Sequence, residues 1–267
     1  MNGIVINIDP VFLHLGGFEL RWYGLAIILG VLVAILMSAR RAAKKGISPE
    51  HIYSLALWAV GGGIIGARLF HVIDRWDYYV ANPAQILSLQ QGGLAIWGAL
   101  VVGGLAVLLY ARRHHLLLGR LLDVLTPGVL VGQMIGRAGC IINGDAYGSA
   151  TSLPWGFTYV HPNALIPPEF YGIPTHPYPV YEVIWNLMIL AVAWRVERVH
   201  KKDGLMFLSY VSLYALGRFV LTFVRQESVW FWGLQEAQVI SLLVAAAAAG
   251  LMLYLKRRRP AVIETSE

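Results

Sequence analysis

Long apolar blocks separated by short polar connections make up most of this chain. Seven stretches approach the roughly 20 consecutive apolar residues needed to cross a hydrocarbon core about 30 Å thick. They are Leu20–Met37, Ile52–Val72, Gly92–Ala111, Leu121–Ile142, Val180–Trp194, Leu205–Val224 and Ala237–Leu255. The pattern predicts an all-α polytopic membrane protein with about seven transmembrane helices. The first residues, MNGIVINIDP, lack the basic region and the A-x-A-like site of a cleaved signal peptide, so the first span is expected to act as the insertion signal.

Two connections are long. Ile73 to Gln91 carries aromatics suited to a membrane interface, and Asn143 to Pro179 is rich in Pro, Gly, Tyr and Trp. The second is too short to bury a core of its own and reads as ordered turns. The expected organisation is a single membrane-embedded domain over residues 1–267, with a small loop cap at about 143–179. Gly62 with Gly66, and Gly132 with Gly136, have the small-xxx-small spacing that lets helix backbones approach in lipid.

Composition agrees with the pattern: 57% of residues are apolar and 13% charged, with a mean hydropathy of +0.61. The net charge of +6 raises nucleic acid as a partner, but the positions of the charges exclude it. Basic residues follow every second span: Arg40, Arg41, Lys44 and Lys45; Arg112, Arg113 and Arg120; Arg195, Arg198, Lys201 and Lys202; Lys256, Arg257, Arg258 and Arg259. By the positive-inside rule the N-terminus is expected outside and the C-terminus in the cytoplasm.

Six arginines fall outside those clusters: Arg21, Arg68, Arg75, Arg137, Arg218 and Arg225. They lie within spans or near their outer ends, where topology gives positive charge no task. A charge at mid-membrane costs at least a few kcal/mol unless something holds it there, and arginine without lysine points to a planar fork for phosphate or carboxylate. An anion channel or transporter is the alternative these residues raise, but the third and seventh spans are almost wholly apolar. No lysine lies in a span to carry a retinal-type Schiff base. The single cysteine, Cys140, excludes an intramolecular disulfide and a cysteine-rich metal site, and no H-x-x-x-H pair suggests zinc.

The densest chemistry is GRAGCIINGDAYG, Gly136 to Gly148, which sets Arg137, Asn143 and Asp145 among glycines directly after an apolar run. An Arg137–Asp145 pair locking two helices is one reading of these residues, and a site for an anionic ligand is the other.

This stretch resembles the signature G-R-x-G-N-F-x-N-x-E-x-x-G of the bacterial prolipoprotein diacylglyceryl transferases. Arg137, Gly139, Asn143 and Gly148 match, Asp145 replaces the glutamate, and Cys140 stands at the first asparagine. RWYGL (Arg21 to Leu25) is similar to the family's first-span motif, and GGLAIWGAL (Gly92 to Leu100) to its G-G-x-x-x-H-G-G-L. HPYPVYE (His176 to Glu182) resembles H-P-x-x-L-Y-E, and GRFVLTFVRQ (Gly217 to Gln226) resembles R-F-x-x-E-x-x-R. Trp97 and Thr222 depart from the pattern, at positions where many members have histidine and glutamate.

The resemblance implies transfer of the diacylglyceryl group of phosphatidylglycerol to a lipobox cysteine thiol of a prolipoprotein. The products are a thioether and glycerol 1-phosphate, and the place is the outer side of a bacterial cytoplasmic membrane. It calls for no cofactor and no metal. Cations should stabilise the phosphate that leaves, and the substrate thiol must lose its proton. Arg137 and Arg218 are the candidates for phosphate and headgroup, with Arg225 next. Asp145, Glu182 and His176 are the candidates for the thiol base, Glu182 alternatively holding an arginine. Asn143, Tyr23, Tyr181, Gly148 and Trp97 complete the expected substrate-binding set. Cys140 is expected to pack, Arg21 to snorkel outward, and Arg68 to meet either Asp74 or a lipid headgroup.

Overall fold

The computed structural model describes residues 3–16, 18–88, 92–200, 202–225, 229–231 and 233–257. Gln91, Lys201, Gln226, Arg258 and Arg259, which figure in the connections, basic clusters and last motif above, lie outside the described residues. In chain order the elements are β1 (Ile4–Ile6), β2 (Val11–Leu15), β3 (Phe18–Arg21), α1 (Trp22–Lys44), α2 (Pro49–Asp74), α3 (Trp76–Ala81), α4 (Ile96–Arg113), α5 (Leu118–Asn143), β4 (Phe157–Tyr159), α6 (Tyr178–Val199), α7 (Leu205–Leu221), β5 (Val229–Phe231), β6 (Leu234–Gln235) and α8 (Glu236–Arg257).

Among the described residues six helices, α1, α2, α4, α5, α6 and α8, are long and apolar enough to cross a membrane. The sixth predicted span corresponds to α7, an apolar helix of 17 residues, at the short end of the transmembrane range. Leu57, Ile65, Leu100 and Leu243 on these helices are exposed, as suits surfaces solvated by lipid. The chain is a multi-pass membrane protein. The first predicted span began too early: Leu20 and Arg21 belong to β3, which pairs antiparallel with β2, and the helix starts at Trp22.

By its internal contacts the chain divides into two compact units, Ile35–Gly128 and Met1–Ala34 with Val129–Glu267. In Ile35–Gly128, Ser48 caps α2 by accepting from the Glu50 backbone N–H at 3.3 Å, with Pro49 in the first turn. Ala39, Ala42, Ile52, Leu55, Tyr110, Ala111, Leu121 and Val124 form its core. Helices α2 and α4 touch backbone to backbone at Gly66 and Gly98. A Cβ on either would overlap the other's carbonyl, so this small-residue crossing has no slack. Gly66→Leu is expected to lower the melting temperature of the detergent-solubilised protein, through an overpacking cost of about 1–3 kcal/mol or more; an unchanged melt would mean that α2 and α4 do not cross there.

Arg68 turns to backbone carbonyls rather than to Asp74. Its side chain donates from Nε to Ile86 O at 2.7 Å, from Nη1 to Gly92 O at 2.9 Å and Gly93 O at 3.0 Å, and from Nη2 to Gln85 O at 2.5 Å. Its guanidinium lies 5.2 Å from the Tyr79 ring centroid. One buried cation thus gathers carbonyls from the turn at Gln85 and Ile86 and from Gly92 and Gly93, a structural task for an arginine there.

In the other unit, α1 and α5 cross at Gly30 and Gly132, where a Cβ on either would come within 2.8 Å of the other's carbonyl oxygen. Gly217 of α7 lies under the Trp185 indole of α6, whose Nε1 donates to Leu213 O at 2.9 Å. The segment between α5 and α6 is ordered by pairing with the chain's start: β4 lies parallel to β1, with Ile4, Val5 and Ile6 opposite Phe157, Thr158 and Tyr159. Phe157, Tyr159 and Ile166 form a small core under this pair with Ile6, Ile141, Tyr147 and Val180. Tyr159 donates from its hydroxyl to Ile141 O at 3.0 Å, and burial raises its phenol above the usual range.

Candidate functional site

Three helices of this second unit bring the central charges together. Arg137 lies in the last turns of α5, Glu182 in the first turns of α6 and Arg218 in the last turn of α7. Glu182 Oε2 forms an ion pair with Arg137 Nε, and Oε1 lies 3.5 Å from Arg218 Nη1. The carboxylate side chain is 5% exposed, whereas the Arg137 and Arg218 side chains are 24% and 21% exposed. One closed-in carboxylate therefore faces two guanidiniums that stay part-exposed, and the trio carries one net positive charge. Arg137 pairs with Glu182 rather than with Asp145, which disposes of the locking pair considered above.

Cys140, one turn beyond Arg137 on α5, is buried, and its Sγ lies 3.6 Å from Arg137 Nη1. The expected packing thiol thus also touches the guanidinium. Tyr178, one turn before Glu182, accepts from Arg218 Nη1 at 2.5 Å, and the Arg225 guanidinium carbon lies 5.2 Å from the Tyr178 ring centroid. Thr222, the residue just after α7, is fully buried and donates to Arg218 O in the last turn of that helix at 2.5 Å.

A second polar group closes the end of α5. Buried Asn143 donates from Nδ2 to Asp145 Oδ1 at 3.0 Å, while Asp145 itself is exposed. Arg21 does not snorkel away: its Nη1 is 3.5 Å from Asn143 Oδ1 and its Nη2 is 3.3 Å from Glu19 Oε2. Gly148 supplies no polar side chain but permits a close crossing. Its N–H donates to His176 O at 3.0 Å, and a Cβ there would stand 2.7 Å from both the His176 Cβ and Val224 O. The neighbouring Ser149 N–H donates to Val224 O at 2.7 Å. The segment leading to Arg225 is thereby fastened to the signature stretch.

The other expected residues make contacts of their own. Tyr181 accepts from Trp155 Nε1 at 3.0 Å and has His176 Nδ1 at 3.1 Å. That places Tyr181 and His176 in an aromatic cluster distinct from the arginines. Tyr23, in the first turn of α1, has its backbone against Gly139, whose hypothetical Cβ would be 3.0 Å from Tyr23 Cα. Trp97 belongs to Ile35–Gly128, in the first turn of α4, and is exposed. Among the described residues, no group of three or more His, Cys, Asp or Glu side chains could hold a metal ion.

Sequence reading missed Tyr178. The available signal was its spacing: four residues before Glu182 on a helix, it occupies the same face.

Residues 10–254 match the family model described as prolipoprotein diacylglyceryl transferase. The chain belongs to that family. Every member of the two polar groups, from Arg21 to Arg225, lies inside the matched span. Relatives named phosphatidylglycerol–prolipoprotein diacylglyceryl transferase agree over nearly the full length. The chain is 38% identical to one from Dehalococcoides mccartyi over 256 residues, covering 95% of this chain and 96% of the relative. It is 37% identical to one from Synechococcus elongatus, covering 95% and 91%, and 34% identical to one from Lysinibacillus sphaericus, covering 95% and 94%. Family membership makes the arginine cluster the part of the molecule to test as an active site.

Proposed function

We propose that the chain transfers the diacylglyceryl group of phosphatidylglycerol to the lipobox cysteine of a prolipoprotein, at the outer side of a bacterial cytoplasmic membrane. The observation that carries the reading is the convergence of Arg137 and Arg218 on one closed-in carboxylate, with both cations part-exposed. The peptide thiolate attacks the glyceryl carbon that bears the phosphate. A C–S bond forms, the C–O bond breaks, and its electron pair leaves with glycerol 1-phosphate. Charge grows on the departing phosphate, so guanidiniums held in advance stabilise the transition state more than the ground state.

Glu182 acts in this scheme as the group that holds both arginines, since both its oxygens face guanidiniums and its side chain is closed off. Of the remaining candidates, Asp145 has the exposed carboxylate and is the proposed acceptor of the thiol proton, fixed in direction by Asn143. Trp97, in place of a histidine, has no basic nitrogen to offer.

The test is release of glycerol phosphate by the purified protein. Release should require both phosphatidylglycerol and a lipobox peptide, and should stop when the peptide cysteine is serine. Release without the peptide would make the protein a lipid hydrolase instead.

A further inference from the structure

Tyr178 opens α6 and is wholly buried, at 0% exposure, yet it is not simply core. Two cations approach it from different directions. Arg218 Nη1 donates to the hydroxyl oxygen at 2.5 Å, and Arg225 stands over the ring, its guanidinium carbon 5.2 Å from the centroid. These arginines are seven residues apart, one in the last turn of α7 and the other in the turn that follows it. Both guanidiniums are positioned at one neutral side chain, which does not cancel their charge.

The segment from Arg218 to Arg225 itself contains no Asp or Glu. Thr222, between them, spends its hydroxyl on Arg218 O. The phenol is neutral: its oxygen is an acceptor for one fork and its π face attracts the other. Glu182, four residues on along the same face of α6, then engages Arg218 and Arg137. One face of α6 thus presents a hydroxyl, an aromatic face and a carboxylate to three arginines, and only the carboxylate subtracts charge.

Resting on the function proposed above, we propose that Tyr178 is a positioning residue for the lipid headgroup. Its hydroxyl sets the direction of the Arg218 fork, its ring seats Arg225, and the pair so fixed receives the phosphate and glycerol of phosphatidylglycerol. A bidentate phosphate contact depends on the plane of the guanidinium, so losing the hydroxyl should weaken lipid binding while the ring still fills its place.

A double-mutant cycle on phosphatidylglycerol binding, measured by titration in neutral detergent, separates this role from packing. Tyr178→Phe should raise Kd about tenfold, the scale of one hydrogen bond to a charged group, with an unchanged melting temperature. In an Arg218→Lys background the same substitution should change Kd by less than about twofold, since the phenol acts through the guanidinium. Tyr178→Leu should raise Kd about a further fivefold by removing the cation–π contact, and that further loss should vanish in Arg225→Ala. In turnover, Tyr178→Phe should act mainly on KM for the lipid. An unchanged Kd for Tyr178→Phe, or an equal tenfold loss with and without Arg218, would overturn the proposal. Wild-type protein that binds phosphatidylglycerol but transfers nothing to a lipobox peptide would contradict the transferase reading and leave the Tyr178 result standing.

Discussion

Arg137→Ala is expected to lower kcat for diacylglyceryl transfer by about 10²–10³-fold, the scale for loss of one preorganised donor facing developing negative charge. Arg137 is part-exposed while its partner Glu182 is closed off, so in the proposed reaction the guanidinium and not the carboxylate is the group to meet an incoming phosphate. The Nε edge is engaged by Glu182 and Nη1 lies against Cys140 Sγ, which fixes the plane of the fork before lipid arrives. Arg137→Lys keeps the charge but loses that plane, and should recover less than about a tenth of the wild-type rate. Initial rates with phosphatidylglycerol and a lipobox peptide, on variants confirmed to be folded in the membrane, check both expectations. Near-normal turnover by Arg137→Ala would remove it from the site.

Glu182→Ala should have the largest effect on stability. It leaves two guanidiniums of a membrane-embedded cluster without their shared carboxylate, and breaking a buried pair on one side costs about 3–5 kcal/mol. The detergent-solubilised variant should melt well below wild type and lose phosphatidylglycerol binding. Glu182→Gln keeps the shape and one acceptor oxygen, so it should fall between the two. If Glu182 were instead the thiol base, Glu182→Gln would bind lipid normally, melt normally and transfer nothing. Thermal melts together with lipid titration of the two variants distinguish these outcomes.

The spans were legible because apolar length is a signal that needs no tertiary contact. Ile52–Val72, Leu121–Ile142, Val180–Trp194 and Ala237–Leu255 each fall within one helix. Their ends were less legible where a neighbouring strand claimed residues: Leu20 and Arg21 pair with β2, and nothing in the apolar run announces that. Arg137 and Arg218 stood out because the positive-inside pattern left them without a task. Their partner did not stand out, since Glu182 lies 45 residues from Arg137 and 36 from Arg218 in the chain. Arg68 shows the converse. It stood out by the same argument, with Asp74 or a lipid headgroup as the expected partner, and its destination, the carbonyls of Gln85, Ile86, Gly92 and Gly93, cannot be read from composition.

Tyrosines were the hardest to rank. Tyr178 and Tyr181 are three residues apart in one motif, and both suit a membrane interface. Only the packing of α7 against α6 sends one to Arg218 and leaves the other with His176 and Trp155. The pairing of β1 with β4 joins residues 153 apart in the chain, and it gives the loop after α5 an order that its prolines and glycines alone could not specify.

The intact mass of a lipobox peptide after incubation with the purified protein and phosphatidylglycerol of defined acyl chains tests the central claim most directly. The account predicts a mass increase equal to one diacylglyceryl group, located on the cysteine by fragmentation and absent with Arg137→Ala over the same time. An unmodified peptide, under conditions where an established relative modifies it fully, would contradict it.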